Sequence, residues 1–323
     1  MPEITLLNPT VINGVVEKFT TPDELLGLQL LPRVPHPFPV ATWDVIRGSR
    51  ELARANVPGS EAHVVKQLGV AQMSARFLYV REKKALEPTT LYWLRAPGTL
   101  AEKNAEAAVL RETQDLANRI DRFMEYTVWQ MFANSLTIAQ PDVNVTITYG
   151  IAASHTPTAA VLWTDPGADV IGDVKAWKRL IARDGQTSAR YAFANDVTME
   201  YLTKNTEIRS LMSERQSEQF LNTGTIPGLL GLTWVTYDIA YVDTAGNEQR
   251  FIPDGKVIIV SDQREPWQMA SGPSADDEAP QGHTGRFTKT WQEKDPSARI
   301  MLMEDHFLPI LLRVENVVYA TVG

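Results

Sequence analysis

Apolar residues recur at helical spacing through the middle of the chain. Val109, Leu116, Ile120, Phe123, Val128 and Met131 share one side of a 3.6-residue period, and Arg111, Asp115 and Arg119 follow one another at i,i+4 on another face. Thr99 and Glu102 have the spacing of a capping box, and no Gly or Pro follows them until Pro141. The pattern predicts one helix over 99–135, roughly 55 Å long at ~1.5 Å per residue. Beyond it the period changes to two. Val143, Val145, Ile147 and Tyr149 alternate with Asn144, Thr146 and Thr148, which predicts a strand with one buried face.

Upstream, the N-terminus reads as an arm with one short helix. Thr21, Pro22, Asp23 and Glu24 place a hydroxyl at the N-cap, proline at the first helical position and a carboxylate at N3. The helix so begun carries Leu25, Leu26, Leu28, Leu30 and Leu31, which need a partner surface. Pro32, Pro35, Pro37 and Pro39 then forbid helix and favour extended chain. From Asp44 to Pro97 the pattern is short and strand-like, with turn signals at Pro58-Gly59 and Glu87-Pro88 and alternation at Phe77, Tyr79, Leu91 and Trp93. This stretch has too few large apolar residues for a core of its own. It reads as a long hairpin leaning on something else.

The texture becomes α/β after Pro157. A helix from about Asp165 carries Val170, Val174, Trp177 and Ile181, and a short strand lies around Tyr191 to Phe193. Helices follow at Asp196 to Leu202, capped by Asn195 or Asp196, and at Thr206 to Leu221. Strands are expected at Thr233 to Val242, Val257 to Ser261, Ile300 to Met303 and Val317 to Val322, with turns at Thr244 to Asn247 and Pro253 to Gly255. The stretch from Glu265 to Gly285 is rich in Gly, Pro, Ser and Asp and reads as a mobile exposed loop.

Composition narrows the classes. At 323 residues the chain has room for about two domains, and 44% hydrophobic against 22% charged residues fits a folded globular protein. No apolar run approaches the ~18 residues that span a bilayer, so no membrane role is expected, and Met1 to Thr10 lack the basic start of an export signal. The absence of cysteine removes disulfides, thiol nucleophiles and Cys-based metal sites. A net charge of −8 argues against a sequence-reading nucleic-acid protein. That average hides a split. Between Asp44 and Pro97 stand nine basic residues, among them Arg47, Arg50, Arg54, Lys66, Arg76, Arg81, Lys83 and Lys84, against five acidic ones. This segment is +4 and the remainder −12. It is either a solvated stretch or an adhesive between copies of the chain.

A search for chemistry finds none. There is no Gly-rich phosphate loop and no Gly-x-Ser-x-Gly turn. His36, His63, His155, His283 and His306 are dispersed and never four apart. Asp276-Asp277-Glu278 lacks the alternating ligands and central glycine of a calcium loop. No catalytic residue, cofactor or metal is expected. The remaining parts are an arm, a basic hairpin, an overlong helix, a helix-strand plate and an α/β lobe. Each exposes surface that a neighbour could bury, which points to a self-assembling shell subunit.

In that order the sequence resembles the major capsid proteins of tailed phages, in the family of the phage lambda major capsid protein. The arm (Phe19 to Pro22 and the leucine run), Val57-Pro58-Gly59 at a loop tip, and the helix from Thr99 to Ser135 match in sequence. So do Phe251-Ile252-Pro253-Asp254-Gly255 before an apolar strand, and Trp291 followed by Asp295-Pro296-Ser297-Ala298-Arg299. The resemblance implies an α+β, Hong Kong 97-type (HK97-like) capsid fold with N-terminal arm (1–43), extended β-hairpin loop (44–98), a peripheral domain (99–160 and 264–309) holding the spine helix, and an α/β axial domain (161–263 and 310–323). It implies hexamers and pentamers forming an icosahedral phage head around double-stranded DNA, with the extended-loop cations Arg47, Arg50, Arg54, Lys66, Arg76, Arg81, Lys83 and Lys84 in contact between subunits. A separate scaffolding protein, a portal and possible decoration protein are the implied partners, and the virion, made in the host bacterial cytoplasm, is the implied location. Some relatives cross-link an extended-loop lysine to a neighbour's asparagine. Lys83 and Lys84 match that lysine by location only, and noncovalent contact is expected. An encapsulin-like nanocompartment shell and an unrecognised soluble enzyme are the alternatives.

Overall fold

The computed structural model describes residues 7–47, 52–53, 70–86, 92, 99–140, 143–212, 228–263, 265–294 and 297–323. The chain divides into two compact units, the first comprising Met1–Ala41, Ser74–Val128 and Gln268–Ile310, the second Thr42–Met73, Trp129–Trp267 and Leu311–Gly323. The helices are α1 (Pro9–Val16), α2 (Leu26–Leu30), α3 (Leu100–Phe132), α4 (Val170–Asp184), α5 (Asp196–Lys204) and α6 (Thr206–Leu211). The strands are β1 (Arg33–Pro35), β2 (Val40–Ile46), β3 (Val70–Arg76), β4 (Leu78–Leu86), β5 (Ser135–Gln140), β6 (Val143–Thr148), β7 (Tyr191–Ala194) and β8 (Thr233–Thr236). They continue with β9 (Ala240–Val242), β10 (Glu248–Arg250), β11 (Lys256–Val260), β12 (Trp267–Ser271), β13 (Phe287–Lys294), β14 (Ser297–Leu311) and β15 (Val317–Thr321). Among the described residues no helix is long and apolar enough to cross a membrane.

In the first unit a five-stranded sheet runs β1-β12-β14-β13, with β4 also paired to β14. Both β13 and β4 run antiparallel to β14 and pair with its residues 299–304, so they occupy its two edges. The odd-numbered side chains of β14 face α3: Thr113 Oγ1 lies 3.2 Å from Met301 Sδ, and Phe123 meets Phe307 edge-on at 6.1 Å. The predicted long helix is present over 33 residues. Of its predicted stripe Val109, Leu116, Ile120, Val128 and Met131 are buried, and Phe123 is half-buried. The expected i,i+4 pairs along it do not form. Asp115 pairs with Lys84 and Arg119 with Glu82, because β4 lies alongside and offers opposite charge.

Four further expectations are corrected here. The arm holds two helices: α1 starts with Asn8 as N-cap, its side chain accepting from the Thr10 N–H, and Pro9 at the first position. The Thr21 to Glu24 capping box does not open α2, which starts at Leu26 with no side-chain cap from its own segment. The Glu265 to Gly285 stretch contains β12, whose Trp267, Met269, Ala270 and Ser271 are buried, and the remainder is tied by a Pro273–Thr284 bridge. Turn-rich composition averaged over the segment hid that strand. The hairpin reading of 44–97 holds in part. β2 pairs with β3, but one residue, Phe77, then passes the chain into β4 and the five-stranded sheet of its own unit. Phe77 packs over Gly272 so closely that a Cβ there would lie 2.7 Å from the ring. The expected tip at Val57 to Gly59 and the turn at Glu87-Pro88 lie outside the described residues.

The second unit holds the sheet β15-β11-β7-β8, antiparallel except between β7 and β8, and the ribbons β5-β6 and β9-β10. Helix α4 buries Val170, Val174, Trp177 and Ile181 against this sheet's apolar face, Trp163 and Trp177 stacking at 5.5 Å. It begins at Val170 with Asp169 as cap, five residues after the expected start at Asp165. Asn195 caps α5, and Gly255, at φ +69°, turns the chain into β11. The single strand expected over Thr233 to Val242 is two, β8 and β9.

Candidate functional site

Strand β4 brings the predicted contact residues Arg81, Lys83 and Lys84 onto the first unit, and its alternation sends them to opposite faces. On the α3 side Lys84 forms ion pairs with Glu112 and, at 3.2 Å, with Asp115, while Glu82 meets Arg119 at 3.4 Å. The Glu112 carboxylate is the main reason the Lys84 ammonium is held above its ordinary pKa. On the other face Arg81 lies 3.2 Å from Asp276 and 3.6 Å from the buried Glu304. Lys83 on this face is exposed and lines an open cavity of about 640 Å³ with Arg81, Glu278, Lys289, Trp291 and Leu302.

Glu304 is the hub of this face. It accepts from the Tyr79 hydroxyl at 3.0 Å and the Ser274 hydroxyl at 2.5 Å. Tyr79 stacks on His306, ring centroids 4.4 Å apart and 5° from parallel. Burial first, and the Glu304 hydrogen bond second, push the Tyr79 phenol up to about 12. Burial likewise lowers His306 below its usual range, against the opposing pull of Glu304 and Asp305.

The remaining predicted contact residues are not brought to this face. Arg47 and Arg76 are exposed, and with Lys83 they have no ion pair among the described residues. Arg50, Arg54 and Lys66 lie outside the described residues. The arm was expected to find its cover on adjacent subunits, yet its described part docks on its own unit. The Asn13 amide donates to the Thr288 carbonyl at 2.8 Å and accepts the Thr288 N–H at 2.7 Å, lying like a short strand along the edge of β13. Glu125 of α3 accepts the Gly27 and Leu28 N–H groups, and β1 pairs in parallel with β12. Beneath the arm Arg286 ion-pairs with buried Asp121 and lies 3.5 Å from buried Asp305, which Arg33 also reaches at 3.1 Å. Burial raises Asp121 above the ordinary carboxylate range despite the opposing arginines. None of Asn13, Asp121, Glu125 or Asp305 stood out in the sequence; a lone acid inside an apolar stripe, as Glu125 is between Met124 and Val128, was the available signal.

His155 is buried, 3.1 Å from Asp184 and 2.9 Å from the Val317 carbonyl, and His283 contacts the Arg286 carbonyl. Among the described residues the only three-membered group with metal-ligating spacing is Asp276, Asp277 and Glu278, their carboxylate oxygens within 4.8 Å of one another. Burial raises Asp276, but Lys289 at 2.6 Å, the Glu278 N–H and Arg81 outweigh it and hold the carboxyl below its ordinary range. Arg81 and Lys289 are thus the cationic partners of this acidic group.

Residues 9–322 match the sequence profile described as phage major capsid protein E. No curated protein sequence matches. Among solved structures the chain is similar to a protein described as the capsid protein of a prophage from E. coli CFT073, at 15% identity over 98% of this chain and 99% of that one, with a TM-score of 0.67. It is also similar to the capsid of cyanophage P-SCSP1u (10% identity, 91% and 86% covered, TM-score 0.53) and to the SrpI encapsulin of Synechococcus elongatus PCC 7942 (9%, 94% and 88%, 0.53). At such identities the likeness is one of fold, and the fold is the Hong Kong 97-type capsid fold that the sequence implied. Since the profile match runs from α1 through the last strand, the chain belongs to the phage major capsid protein E family.

Proposed function

We propose that this chain is the principal shell subunit of a phage head, assembling as hexamers and pentamers into an icosahedral shell around double-stranded DNA. As a member of its family it is a capsid shell protein, associates with copies of itself and is a virion component. The observation that carries the reading is the family match over residues 9–322. Within it, 1–43 serve as the arm, 44–98 as the extended loop, 99–160 with 264–309 as the peripheral domain, and 161–263 with 310–323 as the axial domain about the local symmetry axis. The charge split supports noncovalent contact between subunits through the extended loop. Arg81 and Lys84 are engaged on their own unit, which leaves exposed Arg47, Arg76 and Lys83 for an acidic neighbour; Arg50, Arg54 and Lys66, outside the described residues, are proposed for the same contact on charge alone. A separate scaffolding protein, a portal and a decoration protein are the further partners, and synthesis takes place in the host bacterial cytoplasm. The role is structural, with no catalytic step.

The test is assembly. Expressed alone and with its scaffolding partner, the protein is expected to sediment as closed particles visible by electron microscopy. A monomer or dimer that never forms particles under either condition overturns the reading, and particles filled with an enzyme cargo would turn it to the encapsulin class.

A further inference from the structure

Asn13 and Gly14 are the only Asn-Gly pair in the chain, and they sit inside α1. Every polar function of the Asn13 amide is used: its nitrogen donates to the Pro9 carbonyl and to the Thr288 carbonyl of β13, each at 2.8 Å, and its oxygen accepts the Thr288 N–H at 2.7 Å. Gly14 has no comparable reason to be glycine. A Cβ on it would meet nothing within 4 Å, and its φ is not in the left-handed region that excludes other residues. A glycine inside a helix weakens it relative to alanine. Eight residues are also too few for a helix to persist in water without a partner surface, so α1 depends on its docking through Asn13 and the buried Ile12 and Val16.

We propose that Asn13-Gly14 is a site of spontaneous deamidation which docking of α1 holds shut, and that the product keeps the arm from docking again. The proposal concerns this chain's own arm and does not rest on the shell-subunit reading. In the reaction the Gly14 nitrogen attacks the Asn13 side-chain carbonyl carbon, and its proton passes to solvent. The Cγ–N bond breaks as the amide nitrogen takes up a proton and leaves as ammonia. Water then adds across either C–N bond of the five-membered imide, which opens to aspartate or isoaspartate. Glycine favours the attack because no Cβ shields its nitrogen and its backbone turns freely. Docking closes this route: the helix commits the Gly14 N–H to a carbonyl one turn back and fixes ψ at Asn13, while β13 holds the amide. Once α1 leaves β13 and unwinds, these restraints go together. Neither product can restore the clamp, because at neutral pH a carboxylate has no hydrogen to give the Thr288 carbonyl. Isoaspartate also carries the main chain through the side-chain carbon, which breaks the helix. The pair thus records whether an arm has left its seat.

The test uses the full chain in mildly alkaline buffer, native and in urea, with the tryptic peptide 1–18 weighed over time. Asn8 is the other asparagine of that peptide, and Pro9 after it has no N–H to attack with, so the mass gain of amide to acid reports ring closure at Asn13. Deamidation is expected at least tenfold faster in urea than in the native chain. Ile12→Ala removes a wholly buried anchor while keeping a good helix former, and its native rate, relative to its own rate in urea, should rise at least threefold. Gly14→Ala fits the native backbone and should slow the reaction in urea at least tenfold. Equal native and urea rates overturn the proposal, as does an unchanged ratio in Ile12→Ala, since the helix would then protect the pair without docking. Should Ile12→Ala fail to fold, Val16→Ala repeats the comparison at the other buried position. For the product, aged native protein is digested briefly with trypsin, and the peptide released first by cleavage after Lys18 should be at least twofold richer in the deamidated form than the whole sample. The same fraction in both overturns the claim that the product stays undocked.

Discussion

Glu125, wholly buried in α3, accepts the backbone N–H of Gly27 at 2.8 Å, and its second oxygen takes the N–H of Leu28 at 2.9 Å. These are first-turn donors of α2 that have no partner within their own helix. A carboxylate at a helix N-terminus satisfies them and faces the positive end of the helix dipole. Position 27 must be small for this, since a Cβ there would lie 2.8 Å from a Glu125 oxygen. This side chain ties the arm to α3 through two backbone donors.

Truncation of that side chain, Glu125→Ala, leaves buried donors unpaired at about 1–3 kcal/mol each. Glu125→Gln keeps one acceptor and should lose less. Limited trypsin digestion reads the effect directly: cleavage after Lys18 and Arg33 is expected to accelerate in the order wild type, Gln, Ala. Equal rates in all three would show that the arm is held by other contacts.

How much of this could be read from local pattern depends on where the physical cause lies. The α3 helix was legible because its causes, apolar spacing and the absence of Gly and Pro, are within the segment itself. So were the α4 stripe and the Asn195 cap. The start of α2 was not, because its cap lies 98 residues away at Glu125, while Thr21 to Glu24 carried a local signal that the chain does not use. Strand β12 was hidden because its four buried residues were averaged with the turns that follow. The charges of α3 were legible as charges, but their partners are on β4, and nothing local says that Asp115 prefers Lys84 to Arg111. The candidate contact set divides in the same way. Composition found the basic segment, and only the register of β4 on β14 shows which of its cations are already paired at home.

Two ion-pair sites in the first unit should respond very differently to loss of their cation. Arg286 is mostly buried between Asp121 and Asp305, so Arg286→Met leaves two buried carboxylates short of a partner, a change that typically costs 3–5 kcal/mol or about that range. Lys84, Glu112 and Asp115 are each about 40–50% exposed, and Lys84→Met should cost less than about 1 kcal/mol. Urea unfolding midpoints of the two variants against the wild type check the ranking, and a larger loss for Lys84→Met would refute it.

Acid should loosen the face on which β4 lies. His306 is buried under Tyr79 and its pKa is lowered, so below about pH 6.5 the unfolded chain takes up a proton that the folded chain resists. The unfolded state then binds more protons, and stability falls as pH falls through that window. His306→Phe keeps a flat ring against Tyr79 but cannot be protonated. Comparing urea midpoints at about pH 7.5 and about pH 5.5, the wild type is expected to lose more stability than the variant. Equal losses would assign the acid sensitivity elsewhere.

The edge of β13 offers the sharpest chemical test, because one amide does the work of a strand. Asn13 needs both its oxygen, for the Thr288 N–H, and its nitrogen, for the Thr288 carbonyl. Asn13→Ala removes both bonds, at about 1–3 kcal/mol for each group left unpaired. Asn13→Asp is nearly isosteric yet at neutral pH sets a carboxylate oxygen against a carbonyl oxygen, so it should lose at least as much as alanine despite retaining the acceptor. Protonation restores a donor to that carboxyl. The Asp variant is therefore expected to recover toward the wild type below about pH 4 while the alanine variant does not. Parallel unfolding curves for the two at both pH values would mean that α1 is held to β13 by apolar contact through Ile12 and Val16, with the amide merely filling the gap.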